Sequence, residues 1–367
     1  MRIIQVEKIR EADGTADCHD RLKKLWNYER YGVPEQQGGR YFYQHNTGLQ
    51  NQSVLLVAES VTAEPRLLLD PNTLSTDGTV ALVGHAVTDD GKLLAYGTSA
   101  SGSDWMEWRV RDVDTGKDLP DLVKWVKFSG ASWTKDGKGF FYSRYDEPKQ
   151  GTMLRDANYF HKLYYHKLGT PQSEDKLIYD RPDNKELGFG GGVTDDGHYL
   201  VISVWQGTSP KNRLYYKDLT KPDSEVVKLL DDFDAEYQFL DNDGPVFWIK
   251  TDLDAPRGRV IAIDTRHPER AAWKTIVPQG ADKLDHGVSR YFLPRREGAE
   301  VWPPVGVYSL PDGCRPWECS LVRADLDVSR TTRPQFSQEA SHVTSAPHFL
   351  AAYSCYLHDR EHRLRPA

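Results

Sequence analysis

Net positive charge, methionine and long apolar runs are what this 367-residue chain has least of. Lys and Arg number 47 against 54 Asp and Glu, a net charge of -7, so the chain has no basic footprint for a polyanion and nucleic acid is not expected as a partner. Only three Met stand against 19 Tyr and 10 Trp, a balance that favours pleated, half-buried surfaces over helix bundles. Four cysteines, at 18, 314, 319 and 355, are too few and too uneven for a disulfide scaffold. Thiols of that kind fit a reducing compartment, and a cytoplasmic location is expected. The opening MRIIQVEKIREADG carries charges at positions that include 2, 7, 8, 10 and 11, so it holds no apolar stretch of signal-peptide length, and no membrane span is expected after it.

Motifs that carry chemistry are also missing. A serine nucleophile on a tight elbow needs flanking glycines, as in G-x-S-x-G, and that pattern does not occur. Its nearest approach, Gly130-Ala131-Ser132-Trp133-Thr134, lacks the second glycine and reads as a strand serine. His286, His342, His348, His358 and His362 have no paired nucleophile and carboxylate, so no catalytic residue is assigned. Cys314 and Cys319 with His342 or His348 lack the paired spacing of a zinc site, and the Asp-Gly turns have too few carboxylates for a calcium loop. No glycine loop precedes a helix to cradle phosphate. No metal and no cofactor are expected.

What is present is a repeat. Asp89-Asp90-Gly91 runs into KLLAYG, Lys135-Asp136-Gly137 into KGFFYS, Asp195-Asp196-Gly197 into HYLVIS and Asn242-Asp243-Gly244 into PVFWIK, with Gly39 before RYFYQH as an earlier member. Consecutive glycines lie 52, 46, 60 and 47 residues apart, close to the period of about 40 to 50 of four-stranded propeller blades. Behind each turn comes a second alternating strand: VLLVAES at 54–60, WRVRDVDTG at 108–116, KLYYHKLGT at 162–170, RLYYKDLT at 213–220 and RVIAIDT at 259–265. A twisted four-stranded sheet has two faces to cover and covers them against its neighbours. The expected fold is all-β, a β-propeller with about five recognisable blades.

Ahead of the repeat, Leu22, Leu25 and Trp26 make a short amphipathic pattern between Asp20 and Tyr28, a helix ended near Gly32 and Pro34. The organisation expected is a partly helical arm over 1–37, a propeller over 38–285 and a divergent tail over 286–367. That tail holds eight prolines and three of the four cysteines and reads as disordered or frame-shifted.

Six longer runs support a resemblance: RYFYQHNTGLQNQSVL from Arg40, LLLDPNTLSTDGTVAL to Leu82, YGTSASGSDW to Trp105, WVKFSGASWTKDGKGFFYS to Ser143, KLYYHKLGTPQSED to Asp175, and GGGVTDDGHYLVISVWQGTSPKNRLYYKDL to Leu219. Over residues 20 to about 285 the chain resembles the propeller of the prolyl oligopeptidase family. The resemblance implies a seven-bladed propeller capping an α/β-hydrolase, a serine peptidase that cleaves short peptides after proline, with an N-terminal arm packed on the hydrolase. Two departures stand out: Met1 to Cys18 does not resemble the family's leading helix, and no hydrolase segment follows residue 285. Without a nucleophile elbow, the chain is expected to be inactive alone.

The resemblance also implies two substrate-facing positions. Phe128, in WVKFS, matches a position that faces the peptide and helps surround the residue before the bound proline, and core packing is the competing reading. Thr208, in WQGTSP, matches another lining position. The expected partners are short proline-containing peptides. The competing function is a stand-alone propeller that binds peptides or proteins at its opening, and a third reading is a frame-shifted product with no settled function.

Overall fold

The Asp-Gly turns at 88–93, 134–139 and 194–199 lock themselves. The computed structural model describes residues 15–60, 62–149 and 158–284. In the turn at 88–93, Asp90 Oδ1 accepts from the Thr88 hydroxyl at 2.7 Å and the Lys92 N–H at 3.0 Å, while Gly91 takes φ 70° and donates to the Thr88 carbonyl. Thr134-Asp136-Gly137 and Thr194-Asp196-Gly197 repeat these bonds. Positive φ at the fourth residue is what demands glycine there. The Thr88 and Thr134 hydroxyls hold the Asp90 and Asp136 carboxyls below the usual carboxylate range.

These turns, with Gly38-Gly39 as the equivalent in the first, join the first two hairpin strands of five blades, which make four sheets because blades two and three are bonded into one. The first sheet has β1 (Arg30–Tyr31), β2 (Glu35–Gln37), β3 (Arg40–Asn46), β4 (Val54–Ala58) and β5 (Arg66–Leu69). The second blade follows as β6 (Val80–Val87), β7 (Leu93–Ala100), β8 (Met106–Asp112) and β9 (Asp118–Val126). Blade three is β10 (Ser132–Trp133), β11 (Gly139–Arg144), β12 (Lys162–Lys167) and β13 (Lys176–Tyr179). Blade four is β14 (Leu187–Val193), β15 (Tyr199–Gln206), β16 (Asn212–Asp218) and β17 (Val226–Leu230). The fifth is β18 (Tyr237–Asp243), β19 (Val246–Thr251), β20 (Arg259–Asp264) and β21 (Lys274–Val277). All pairings are antiparallel, and they join sequence neighbours except in two places: β1 pairs with β3, and one extra pair, Val126 with Arg144, joins blades two and three. The five expected turns lie in these places, the alternating strands expected behind them are the third strands β4, β8, β12, β16 and β20 of the five blades, and the fold is a β-propeller.

The core sits between blades, because alternate residues of each second strand point to opposite neighbours. On β7, Leu94 and Tyr96 pack with Phe42, Leu55 and Leu68 of blade one, whereas Ala95 joins Trp133 and Phe140 of blade three. On β11, Phe140 and Tyr142 face blade two and Phe141 faces Leu187 and Phe189 of blade four. On β15, Leu200, Ile202 and Val204 face blade three, while Val201 meets Phe247 and Ile249 of blade five.

The helix differs in extent from the sequence expectation. It is α1 (Thr15–Trp26), with Lys23 and Lys24 in its last turn, where cations oppose the helix dipole. It ends before β1, whose Arg30 and Tyr31 already pair with Asn46 and His45 of β3. Its apolar stripe is bare: Leu22, Leu25 and Trp26 are 54, 62 and 61 % exposed. No helix among the described residues is long and apolar enough to cross a membrane. The expected tail, 286–367, lies outside the described residues, as do Cys314, Cys319 and the five histidines from His286 onward.

Candidate functional site

The up-and-down order of each blade puts the Asp-Gly turns at one end of the array. The connections between second and third strands, and those between blades, lie at the other. Among the described residues, every non-glycine residue with positive φ belongs to this loop end or to the strand leading into it: Ser101, Trp125, Phe128, Phe160, Phe233 and Asp254. Left-handed backbone in bulky residues is costly, of order 1–3 kcal/mol each, and persists where the surroundings over-determine it.

Phe128, between β9 and β10, has φ 54° and is 59 % exposed. The core reading of this residue is thereby ruled out. Its neighbours are held firmly. Lys127 is buried, with Nζ 4.2 Å from the centre of the Trp105 ring, and burial lowers its pKa against the opposing charge of Asp104. Trp105 in turn meets Trp125 and Tyr145 edge-on, at 6.0 and 6.2 Å. On the other side, Ser129 Oγ accepts from the Ser143 N–H at 2.8 Å.

His161, one residue before β12, ties this linker to blade four. Its Nδ1 accepts from the Phe189 N–H at 3.0 Å, and Tyr145 lies 4.5 Å away, ring to ring. Burial pushes its pKa down to about 4, only partly offset by the Lys127 carbonyl, so the ring is neutral. Phe128 is therefore an exposed aromatic ring on a strained, braced backbone. Phe128→Ala should lose under about 1 kcal/mol in a urea melt, against about 3–5 kcal/mol for emptying a buried phenylalanine site. A loss in the larger range would mean that the ring is packed.

Thr208 is exposed in the β15–β16 connection at the same end. It adjoins a cleft of about 650 Å³ between blades four and five, lined by Gly190, Gly192, Ser203, Trp205, Asn212 and Gln238 among others. The cleft exists because β14 carries glycines where other strands carry side chains. A Cβ at Gly188 would lie 2.3 Å from the Trp205 ring, whereas one at Gly192 would meet open space. The structure does not bring Phe128 and Thr208 into contact. Ser132 sits in β10, where its Oγ accepts from the Val193 N–H at 2.9 Å, a bond between blades. Among the described residues, no three His, Cys, Asp or Glu side chains gather as a metal site.

Sequence reasoning missed the side chains that fasten one blade to the next. The inner edge of each first strand would otherwise expose unpaired backbone. Gln52 donates from Nε2 to the Val80 carbonyl (2.7 Å) and accepts at Oε1 from the Leu82 N–H (3.0 Å). Asn212 does the same for Tyr237, donating to its carbonyl at 2.9 Å and accepting from its N–H at 2.7 Å. With His161, these occupy like places, at or just before the third strand. The available signal was a hydrogen-bonding residue ahead of VLLVA, KLYYH and RLYYK.

Comparison with known proteins agrees with this geometry. The sequence profile "Prolyl oligopeptidase, N-terminal beta-propeller domain" matches residues 5–335, beyond both ends of the range marked by the six motif runs. The prolyl endopeptidase of Elizabethkingia meningoseptica is 38 % identical over 270 residues, 72 % of this chain and 38 % of that protein. Prolyl oligopeptidase A of Galerina marginata is 37 % identical, over 61 % of this chain and 34 % of that one. A solved structure of prolyl oligopeptidase B from Galerina marginata, bound to a 35mer hydrolysis and macrocyclization substrate, superposes with a TM-score of 0.70 at 29 % identity. It matches 76 % of this chain and 42 % of that one. The chain thus spans about two fifths of the length of these relatives. It belongs to the prolyl oligopeptidase family, and its described blades are part of that family's N-terminal β-propeller domain.

Proposed function

We propose that this propeller is the substrate-gating part of a serine endopeptidase that cleaves short peptides after proline, and that its loop end faces the peptide. The observation that carries this is Phe128, an exposed ring held on a left-handed backbone by Ser129 and the packing of Lys127. An aromatic ring gives large apolar contact at low rotamer cost, which suits it to line the site beside a proline. Thr208 lies at the same end. The bare stripe of α1 supports the reading too, because Arg30 lies 5.7 Å from the Trp26 ring and bonds the Gly48 carbonyl of a loop-end connection. A hydrolase docked on the loop end would cover that stripe. In this reading the propeller's side chains bind and exclude, and the acyl transfer to serine belongs to the hydrolase.

The cleft between blades four and five favours a second reading, a propeller that binds peptides in its own right. Both readings are tested by fluorescence anisotropy of the 367-residue chain with a labelled proline-containing octapeptide. Gating predicts saturable binding that weakens about tenfold or more in Phe128→Ala, the loss of roughly 1.4 kcal/mol of contact. It predicts no turnover and no fluorophosphonate labelling, since no G-x-S-x-G occurs in these residues. Binding blocked by Gly192→Leu and indifferent to Phe128→Ala would select the cleft instead. Stoichiometric labelling of one serine would overturn both.

A further inference from the structure

Three neighbouring blades place a cation at one position of the third strand. Arg111 pairs across from Leu94, His166 from Phe140 and Lys217 from Leu200, each partner standing three residues after its turn glycine. Each cation closes the turn between third and fourth strands. Arg111 donates through Nε to Asp118 Oδ1 at 2.7 Å, and Lys217 Nζ donates to the Ser224 carbonyl and hydroxyl. Blade three alone uses a side chain that titrates near neutrality.

His166 is enclosed. Its Nδ1 lies 2.7 Å from Asp175 Oδ1 and its Nε2 3.1 Å from Asp121 Oδ1, and the three side chains are 0, 0 and 2 % exposed. Asp175 Oδ2 accepts from the Tyr142 hydroxyl at 2.6 Å, and Asp121 Oδ1 also accepts from the Gly169 N–H at 2.6 Å. An ionised carboxylate accepts and cannot donate, so a ring that bonds two of them at once carries a proton on each nitrogen. The groups around the ring are Asp121 from β9, Tyr142 and the apolar Phe140 ring from β11, and Asp175 from the β12–β13 connection. Arg144 adds its charge from the end of β11 through Tyr142. The same connection is stitched to blade two by Gln172, which accepts from the Lys124 N–H and donates to its carbonyl, both at 3.0 Å.

We infer that His166 is a pH-sensitive latch, whose imidazolium holds the 168–175 connection of blade three against β9 of blade two and whose deprotonation frees it. A neutral ring donates only once, which sets a nitrogen lone pair against one of the two carboxylates and leaves two negative charges with no cation between them. Burial by itself lowers the His166 pKa, but the hydrogen bonds and charges of Asp175 and Asp121 outweigh it and raise the value above that of ordinary histidine. The closed state therefore binds the proton more tightly than the open one. The latch is fully present below about pH 6.5 and is lost as pH rises through the raised value. Arg111 keeps its charge throughout, which makes the blade-two turn at 113–117 an internal control.

The test is hydrogen exchange of the full chain, read by mass spectrometry between about pH 6 and 9.5 and corrected for the intrinsic base-catalysed rate. Protection of 168–175 should fall about tenfold per pH unit from about 6.5 up to the folded-state pKa and then level, while 113–117 stays flat. In His166→Gln the 168–175 profile should be flat and low. A flat wild-type profile at 168–175, or a slope that survives in His166→Gln, would overturn the latch. Should that variant fail to fold, the comparison of the two turns within the wild-type chain decides by itself.

Discussion

Asp175→Ala should unfold about 3–5 kcal/mol more easily than the parent chain at pH 6, the loss typical of breaking a buried ion pair from one side. The change leaves two buried donors in place. His166 keeps only Asp121 as a partner, and the Tyr142 hydroxyl is left with Gln172 Nε2 at 3.2 Å, itself a donor. An unsatisfied buried group costs about 1–3 kcal/mol, so the phenol alone accounts for a measurable part. Asp175→Asn retains an acceptor and loses the charge, and its effect should fall between the parent and alanine. Arg266 and Asp264 make an equally short ion pair, 2.7 Å, on the surface. Removing that exposed pair should change little, because water and salt screen it. Urea midpoints of the three variants separate these outcomes. A loss below about 1.5 kcal/mol for Asp175→Ala would show that His166 is not charged in the fold, and would remove the basis of the latch.

The features legible in the sequence were those written locally. A Thr-x-Asp-Gly turn closes within six residues, so its side-chain bonds leave a motif, and β7, β11 and β15 alternate between two buried faces with an unbroken apolar run. First and fourth strands were not resolved from sequence. β10 has only two residues, β14 is Leu-Gly-Phe-Gly-Gly-Gly-Val, and outer strands such as β13 and β21 show exposed apolar residues, Leu177 and Ile276. None of these has the period of a half-buried strand. The amphipathic stripe of α1 was legible as a helix, but a stripe does not say what it packs against. Phe128 was reached only through family resemblance. Its exposure and left-handed backbone depend on Ser143, Trp105 and His161, which lie 15 to 33 residues away in the sequence.

The second large effect tests the fasteners that sequence reasoning missed. Asn212→Ala should cost about 2–4 kcal/mol, because the Tyr237 N–H and carbonyl both lose a partner while remaining buried. The Asn212 side chain acts as a piece of strand, one acceptor and one donor in the order that a neighbouring backbone would present, so its removal turns the inner edge of β18 into an unpaired edge. Asn212→Asp keeps the acceptor for the Tyr237 N–H but sets a second oxygen against the Tyr237 carbonyl, and it should be no better than alanine. Gln52→Ala removes the same pair of bonds to Val80 and Leu82, where the groups are only part-buried. Water can take its place there, and the loss should be about half as large. The ordering of the three variants is the measurement that matters, read as denaturant midpoints with unchanged slopes. Equal, small losses at Asn212 and Gln52 would mean that the apolar clusters between blades hold the array by themselves. A larger loss at Asn212, with exchange rising first at 237–243, would show that one amide side chain keeps blade five in register with blade four.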